Sequence, residues 1–555
     1  MAFVITQRCC NDASCVVECP VDCIRPRPDE PAFATAEILH IDPDTCIDCG
    51  ACVEACPVDA IFGADELPPA LARYADINAA YFERNPLDTA IAAAPNPIRV
   101  PRESATLRVA VVGTGPAACY AAEQLLGRGR VEIDMFDRLP APWGLARYGV
   151  APDHPETRGV TDMFNAAFKR DAVRMHLNVD IGRDVTHDEL LAHFHAVIYA
   201  VGAAGDRRLG IPGEDLAGSY SATEFVAWYN GHPDFADRRF DLSGERAVIV
   251  GNGNVALDIA RVLTADPATL GRTDIADHAL EALRHSNIRE VVLLGRRGLP
   301  HAAFTGPEFL ALAELDVDVV IDPADIDDDV AAVLADPSTD PALRLKLTLA
   351  GEYARQTGAG DRKRIVFRFL VSPAEVSGAD SVAAVRIVHN ELRASADGAT
   401  AVATDRTEVV PTSLILRAVG YRGNPIPDVP FDSAAGVIPH RRGRVVDAAD
   451  SVVPGVYTAG WIKRGARGVI GTNRGDAEET VTGLIEDFLA GSLAEPDRDR
   501  AAFEELLTQR CPQRIDRGGW MAVDAAERAK GALAGRPRVK FVRAGEIVDL
   551  ARRGM

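Results

Sequence analysis

Two stretches of the chain repeat one pattern: a short, wholly apolar strand, a glycine turn, and then a helix. In LRVAVVGTGPAACYAAEQLL the strand runs from Arg108 to Val112, and Gly113, Gly115 and Ala118 follow with the spacing G-x-G-x-x-A. The first glycine makes the tight turn, the second admits a pyrophosphate to the backbone, and a small third residue lets the helix pack on the strand. The next strand, VEIDMF, ends at Asp137, where an acid accepts hydrogen bonds from ribose hydroxyls while the helix N-terminus holds the pyrophosphate. RAVIVGNGNVALDIAR repeats the arrangement with Gly251, Gly253 and Ala256, so two dinucleotides are implied. Here the following strand, EVVLLG, ends in Arg296 and Arg297 instead of an acid. Guanidinium forks match a 2'-phosphate that a carboxylate repels, so the second site is expected to prefer NADP over NAD. The plainer alternative is a pair of surface arginines closing a strand.

Elsewhere the pattern weakens. Residues 63–105, with LPP, NPLD and AAAPNPIRVP, carry little apolar periodicity and read as a linker, with one short helix expected around Ala70 to Tyr81. No apolar run approaches the roughly 18 residues needed to cross a bilayer. The N-terminus, MAFVITQRCC, lacks the apolar stretch of a signal peptide, so no transmembrane segment and a cytoplasmic location are expected. A length of 555 residues exceeds one core; at ~150 residues per domain, three or four domains are expected. A hydrophobic fraction of 47% and a charged fraction of 25% describe an ordinary globular chain. The net charge of -21 argues against a general binder of nucleic acid or anionic membrane.

Cysteine usage changes the picture most. Nine of the 11 cysteines fall within the first 56 residues; only Cys119 and Cys511 lie beyond. A reducing compartment disfavours disulfides, so such a cluster points to metal. Cys46, Cys49, Cys52 and Cys56-Pro57 spell C-x-x-C-x-x-C-x-x-x-C-P, the bacterial iron–sulfur run whose fourth cysteine ligates the other cluster. Structural zinc normally uses two separated C-x-x-C knuckles or histidines, and His40 is the sole histidine near. An earlier half-motif, CCNDASCVVECPVDC, adds Cys9, Cys10, Cys15, Cys19-Pro20 and Cys23.

This segment resembles seven-iron ferredoxins over residues 1 to about 62, although the stretch between Cys9 and Cys15 is shorter than in that family. The resemblance implies crossed ligation. Cys19 completes a 4Fe-4S cluster with Cys46, Cys49 and Cys52, and Cys56, Cys15 and either Cys9 or Cys10 hold a 3Fe-4S or second 4Fe-4S cluster. Cys9 is taken as the ligand, with Cys10 and Cys23 as free thiols beside the clusters on grounds of crowding. Eleven acids against three arginines give the segment a net charge of -8, which suits either a basic partner face or a merely solvated surface.

Three further strings, RLPAPWGLARYGVAPDHPETR, GYRGNP and GWIKRGARGVIGTNRGDAEETV, resemble adrenodoxin-reductase-type ferredoxin-NADP reductases over residues 106 to about 490, together with GNGNVALDIAR. The whole is thus similar to a fused ferredoxin/ferredoxin-NADP reductase. The resemblance implies an α+β bacterial-type ferredoxin (1–62), the linker, and an α/β flavoprotein of glutathione-reductase-like plan with two Rossmann-like domains. Its FAD domain is split (106–206 and 411–490) around an NADP domain (207–410), and a C-terminal extension (491–555) follows. It further implies that Gly115, Ala117, Asp137 and Leu145 line the FAD. Trp461, Gly468, Val469 and Ile470 lie by the flavin ring, the last three at a helix start that stabilises negative charge. Asn252, Gly253, Asn254, Val255, Arg296, Arg297 and Glu308 carry over to the NADP site. The family's second acid beyond Glu308 is here Ala311, so a proton relay there is absent. His154 is the candidate catalytic residue, although hydride transfer needs no general base; its alternative is a turn imidazole bonded to backbone.

The implied activity is an NADPH-dependent ferredoxin reductase that passes a hydride to FAD and then single electrons through the clusters to a redox protein such as a ferredoxin or cytochrome P450. The absence of a C-x-x-C beside either glycine motif excludes a flavin disulfide reductase. Two rivals stay open: the electron-input subunit of a larger amidotransferase or reductase, and a non-catalytic iron–sulfur assembly or sensor protein. From Arg500 onward, twelve basic residues face seven acids, which reads either as a docking face for the acidic module or as an extension packed by Trp520.

Overall fold

The first glycine of each repeat is there for the same steric reason. Gly113 and Gly251 both have φ of +116°, and a Cβ would lie 2.4 Å from the Ala200 carbonyl oxygen in one case and 2.3 Å from that of Ala418 in the other. Only glycine tolerates both the dihedral and the contact. The computed structural model, which describes residues 2–87, 97–356, 360–395 and 398–553, builds one sheet on each repeat. The first has seven strands, in the order His440–Arg441, Arg444–Val446, Val452–Thr458, Ala196–Tyr199, Leu107–Val112, Val131–Asp137 and Val173–Leu177. Its last five are parallel, and the central ones are buried apolar runs, as expected of a sheet covered on both faces.

The second sheet is parallel throughout, with strands Ser219–Ser221, Leu414–Arg417, Arg246–Val250, Glu290–Leu294, Arg364–Arg368 and Asp318–Val320. Since Leu414–Arg417 belongs to it, the second crossing between domains falls after Arg417 and not at residue 410, the bound that the resemblance implied. The two crossings meet as a short antiparallel pair, Gly205–Asp206 with Tyr421–Arg422. Three antiparallel strands between Val371 and Pro411 back this domain.

At the N-terminus two antiparallel pairs, Phe3–Ile5 with Ile61–Gly63 and Ile24–Arg25 with His40–Ile41, support two short helices, Ser14–Glu18 and Ala51–Ala55. The helix expected near Ala70 spans Arg73–Arg84 and joins the two pairs through one buried side chain. Asn78 Oδ1 accepts from Ile5 N at 3.1 Å and Ile41 N at 2.9 Å, while Nδ2 donates to Ile5 O and Tyr74 O. The centre of the expected linker, residues 88–96, lies outside the described residues.

The C-terminal segment forms helices Arg500–Arg510, Arg517–Leu533 and Ala544–Arg553. Phe503 and Leu507 pack with Phe136 and Phe194, and buried Trp520 and Val523 join the core of the first sheet. Three of its cations turn inward: Arg538 bonds Asp524 and Glu527, Lys540 bonds Asp274, and Arg536 bonds Asp277. The N-terminal module makes its ion pairs elsewhere, with Glu156 and Arg474; this segment packs around Trp520 against both nucleotide domains. Among the described residues, no helix is long and apolar enough to cross a membrane.

Candidate functional site

At the first glycine turn, Asp137 closes its strand beside Thr114. Its carboxylate accepts from Thr114 N at 3.1 Å, Thr114 Oγ1 at 2.5 Å and Leu139 N at 2.9 Å. Burial pushes this carboxyl up, against the lowering effect of those bonds. Gly115 is the N-cap of helix Pro116–Leu126 and meets the turn before Leu145: a Cβ on Gly144 would lie 3.0 Å from Gly115 Cα. Leu145 begins the short helix Leu145–Tyr148 and stays partly exposed. Gly460, which the sequence reading missed, lets the backbone before Trp461 approach helix Pro116–Leu126, since a Cβ on Gly460 would lie 2.5 Å from that of Ala117. Trp461 Nε1 donates to Arg467 O at 3.1 Å. Gly468, Val469 and Ile470 lead into Gly471, the N-cap of helix Thr472–Leu489, with Val469 N donating to Thr472 Oγ1. The structure thus brings Gly113, Gly115, Ala117, Ala118, Asp137 and the 461–470 segment around one helix start, the donor set that a dinucleotide phosphate and an electron-rich ring require.

Facing it, the second turn is pinned by its asparagines. Asn254 Oδ1 accepts from Thr305 N at 2.9 Å and Asn252 Oδ1 from Ala303 N at 3.4 Å, leaving Gly253 and Val255 at the start of helix Asn254–Thr264. Arg296 and Arg297 make no ion pair with a carboxylate among the described residues; Asn390 holds the Arg296 carbonyl at 2.9 Å. Both guanidinium groups remain available to a phosphate, which suits a 2'-phosphorylated ligand.

Between the domains lies a charged cluster that the sequence revealed only in part. Buried Arg261 bonds Asp153 at 2.9 Å, Asp258 at 2.5 Å and Glu308 at 2.7 Å. His154 Nε2 lies 3.7 Å from Asp258 and 3.6 Å from Glu308. Burial and the Arg261 cation oppose a charged imidazole, but Asp258, Glu308 and Asp153 outweigh them and raise the His154 pKa. His154 and Glu308 were singled out from sequence; Arg261 and Asp258 were legible only as the polar face of GNGNVALDIAR. With a guanidinium at its centre, the cluster needs no metal ion.

The cysteines divide between two cavities. One is lined by Cys19, Cys23, Cys46, Cys49 and Cys52, the other by Cys9, Cys10, Cys15 and Cys56. Cys19 therefore sits with the second run, and Cys56 with the first. Backbone N–H groups reach sulfur at Cys19, from Cys23 at 3.4 Å, and at Cys56, from Ala60 at 3.3 Å. Burial pushes the Cys9 thiol up to about 12 and the Cys52 thiol up to about 11. Such groups become thiolates only opposite a strong cation, which fits metal ligation. Cys10 belongs to the apolar core shared with the first sheet.

The N-terminal module docks through mixed charge. Arg8 pairs with Glu156 and Asp12 with Arg474, and Arg73 of the adjoining helix pairs with Glu352, so an acidic module on a basic face does not describe this contact. Glu37 accepts from Gly306 N at 2.8 Å, two residues before Glu308.

Residues 39–62 match the family model of a 4Fe-4S binding domain, and residues 107–297 that of a pyridine nucleotide-disulphide oxidoreductase. A Mycobacterium tuberculosis protein named probable ferredoxin/ferredoxin–NADP reductase is 48% identical over 99% of this chain and 95% of its own length. Its Mycobacterium leprae namesake is 45% identical over 99% and 98%. The structure of Mycobacterium tuberculosis FprA in complex with NADPH superposes with a TM-score of 0.77 at 42% identity, covering 81% of this chain and 100% of that one.

Proposed function

The chain belongs to the ferredoxin/ferredoxin–NADP reductase family, and from this we propose how its own residues carry out NADPH oxidation coupled to single-electron delivery. One observation carries the reading: two glycine turns fitted for dinucleotides and two cysteine-lined cavities are packed together in one chain. When bound, FAD accepts a hydride from NADPH, and the iron–sulfur clusters carry single electrons to an external acceptor. Gly113, Gly115, Ala117, Ala118, Asp137 and Leu145 hold the flavin nucleotide, and Trp461 with the Gly468–Val469–Ile470 helix start lies at its ring. Gly251, Asn252, Gly253, Asn254 and Val255 hold the nicotinamide nucleotide, and Arg296 and Arg297 grip its 2'-phosphate.

His154 acts with Arg261, Asp258 and Glu308 to orient the two nucleotide domains, because the cluster joins a loop of one to a helix of the other. We assign Cys19, Cys46, Cys49 and Cys52 to a 4Fe-4S cluster, and Cys9, Cys15 and Cys56 to a 3Fe-4S cluster. Cys9 is preferred because Cys10 packs into the core of the first sheet. The acceptor is a one-electron redox protein of the ferredoxin or cytochrome P450 kind, and the dense thiol set suits a reducing cytoplasm.

Iron and flavin analysis of the purified protein tests the assignment. The expected result is one FAD and close to seven irons per chain, with Cys10→Ser retaining them. Zinc in place of iron, or loss of the three-iron signal in Cys10→Ser but not in Cys9→Ser, contradicts it.

A further inference from the structure

The two cavities stand differently to the flavin segment, and this gives the electron path a direction. The Cys10 carbonyl accepts from Gly471 N at 2.8 Å, one residue beyond Ile470. A Cβ on Gly471 would lie 1.7 Å from Asn11 O, so the backbones touch with no side chain between. Arg474, in the first turn of the same helix, donates to Asp12 O at 2.9 Å. A second contact closes the other side: a Cβ on Gly159 would lie 2.6 Å from the carbonyl oxygen of Pro57, next to Cys56. Cys10, Asn11 and Asp12 all line the cavity of Cys9, Cys15 and Cys56, and Cys10 and Val58 share a core with Tyr120 of the first nucleotide helix.

The other cavity is lined by no residue at these contacts. It reaches the outside at Cys49, which is exposed, and at Ile47, which is 58% exposed.

We propose that the cluster held by Cys9, Cys15 and Cys56 is the flavin's immediate electron acceptor, and that the cluster of Cys19, Cys46, Cys49 and Cys52 is the outlet, at its Cys49 edge. This rests on the cofactor assignment above and adds its order. NADPH loses a hydride, hence two electrons, to the flavin. Each electron then passes singly to the inner cluster, the outer cluster and one acceptor. The sum converts NADPH and two oxidised acceptors into NADP+, a proton and two reduced acceptors. The inner position suits Cys10 as well: its carbonyl is committed to Gly471 and its side chain to the docking core, a role different from that of a ligand.

The test is electron paramagnetic resonance power saturation of the holoprotein, reduced so that a flavin radical and an oxidised three-iron cluster coexist. The radical is expected to relax fast in the unmodified protein and in Cys46→Ala/Cys49→Ala, which removes the outer cluster. It is expected to relax slowly in Cys15→Ala. Slow relaxation in the unmodified protein and in the double variant, with the three-iron cluster present and oxidised in both, overturns the order. Gly159→Val supplies a check that leaves every cysteine in place, by wedging Val against Pro57. Iron content and flavin bleaching by NADPH should be retained, while radical relaxation slows and freeze-quenched reduction of the three-iron cluster falls about tenfold or more, because contact geometry is what the wedge disturbs. Full-speed reduction of that cluster, with undiminished relaxation, counts against the contact as the route. A protein without FAD or without two clusters would refute the cofactor assignment itself, an outcome distinct from a reversed order.

Discussion

In the proposed assignment, two arginines at a strand end decide which nicotinamide the protein uses. Arg296 and Arg297 are free of protein carboxylates among the described residues, so their charge is not already neutralised. Two charge-assisted contacts should supply roughly 1.5 to 3 kcal/mol, a preference in kcat/KM of about tenfold to a few hundredfold for NADPH over NADH. Arg296→Ala/Arg297→Ala should abolish most of it; equal kcat/KM values in the unmodified protein would exclude the assignment. His154 makes a prediction about pH. Its folded pKa is raised above the unfolded value of 6.5, so its contribution to stability is fully present below that value and is lost as pH rises through the folded pKa. The difference in melting temperature between the unmodified protein and His154→Gln should therefore be largest at acidic pH and shrink in alkali. A difference that grew with pH would contradict the acidic surroundings of the imidazole.

Among the elements, the helix Arg517–Leu533 carries the most consequential buried charge. Glu527 is fully buried and bonds Arg147 at 2.6 and 3.0 Å, Arg538 at 3.0 Å and Phe541 N at 3.0 Å. Removing one partner of such a network leaves uncompensated buried charge, at a cost of about 3 to 5 kcal/mol. Glu527→Ala should lower the melting temperature markedly, with Glu527→Gln intermediate; an unchanged transition would mean that the segment is dispensable. The sequence disclosed this region as basic and Trp-bearing, yet not where its cations turn, because Asp274 and Arg147 lie hundreds of residues away in the chain. Glycine turns were legible because their geometry is local: spacing alone specifies Gly113 and Gly251. Gly460 and Gly471 were not, since each is required by an approach from a distant element, Ala117 in one case and Asn11 in the other. For the same reason the cysteine run indicated crossed ligation, while the cavity facing the flavin segment depended on docking.

At the scale of the whole molecule, reductase and N-terminal module are separable in composition but joined by apolar and mixed-charge contacts. FprA matches 81% of this chain over its full length, so the nucleotide domains form a unit found without the module. A chain lacking residues 1–105 should therefore bind FAD and reduce ferricyanide with NADPH, since the residues proposed to hold the two nucleotides all lie within residues 106–490. It should reduce cytochrome c poorly until separate ferredoxin is added. Equal cytochrome c rates for the short and whole chains would remove the clusters from the main path. Electron flow from nicotinamide through flavin to clusters within one chain is tested most directly by an anaerobic NADPH titration of the intact protein, followed by flavin absorbance and electron paramagnetic resonance in the same samples. The flavin should bleach and the cluster signals change with it, with no added acceptor; an unbleached flavin, or clusters that stay oxidised beside a fully reduced flavin, would contradict that flow.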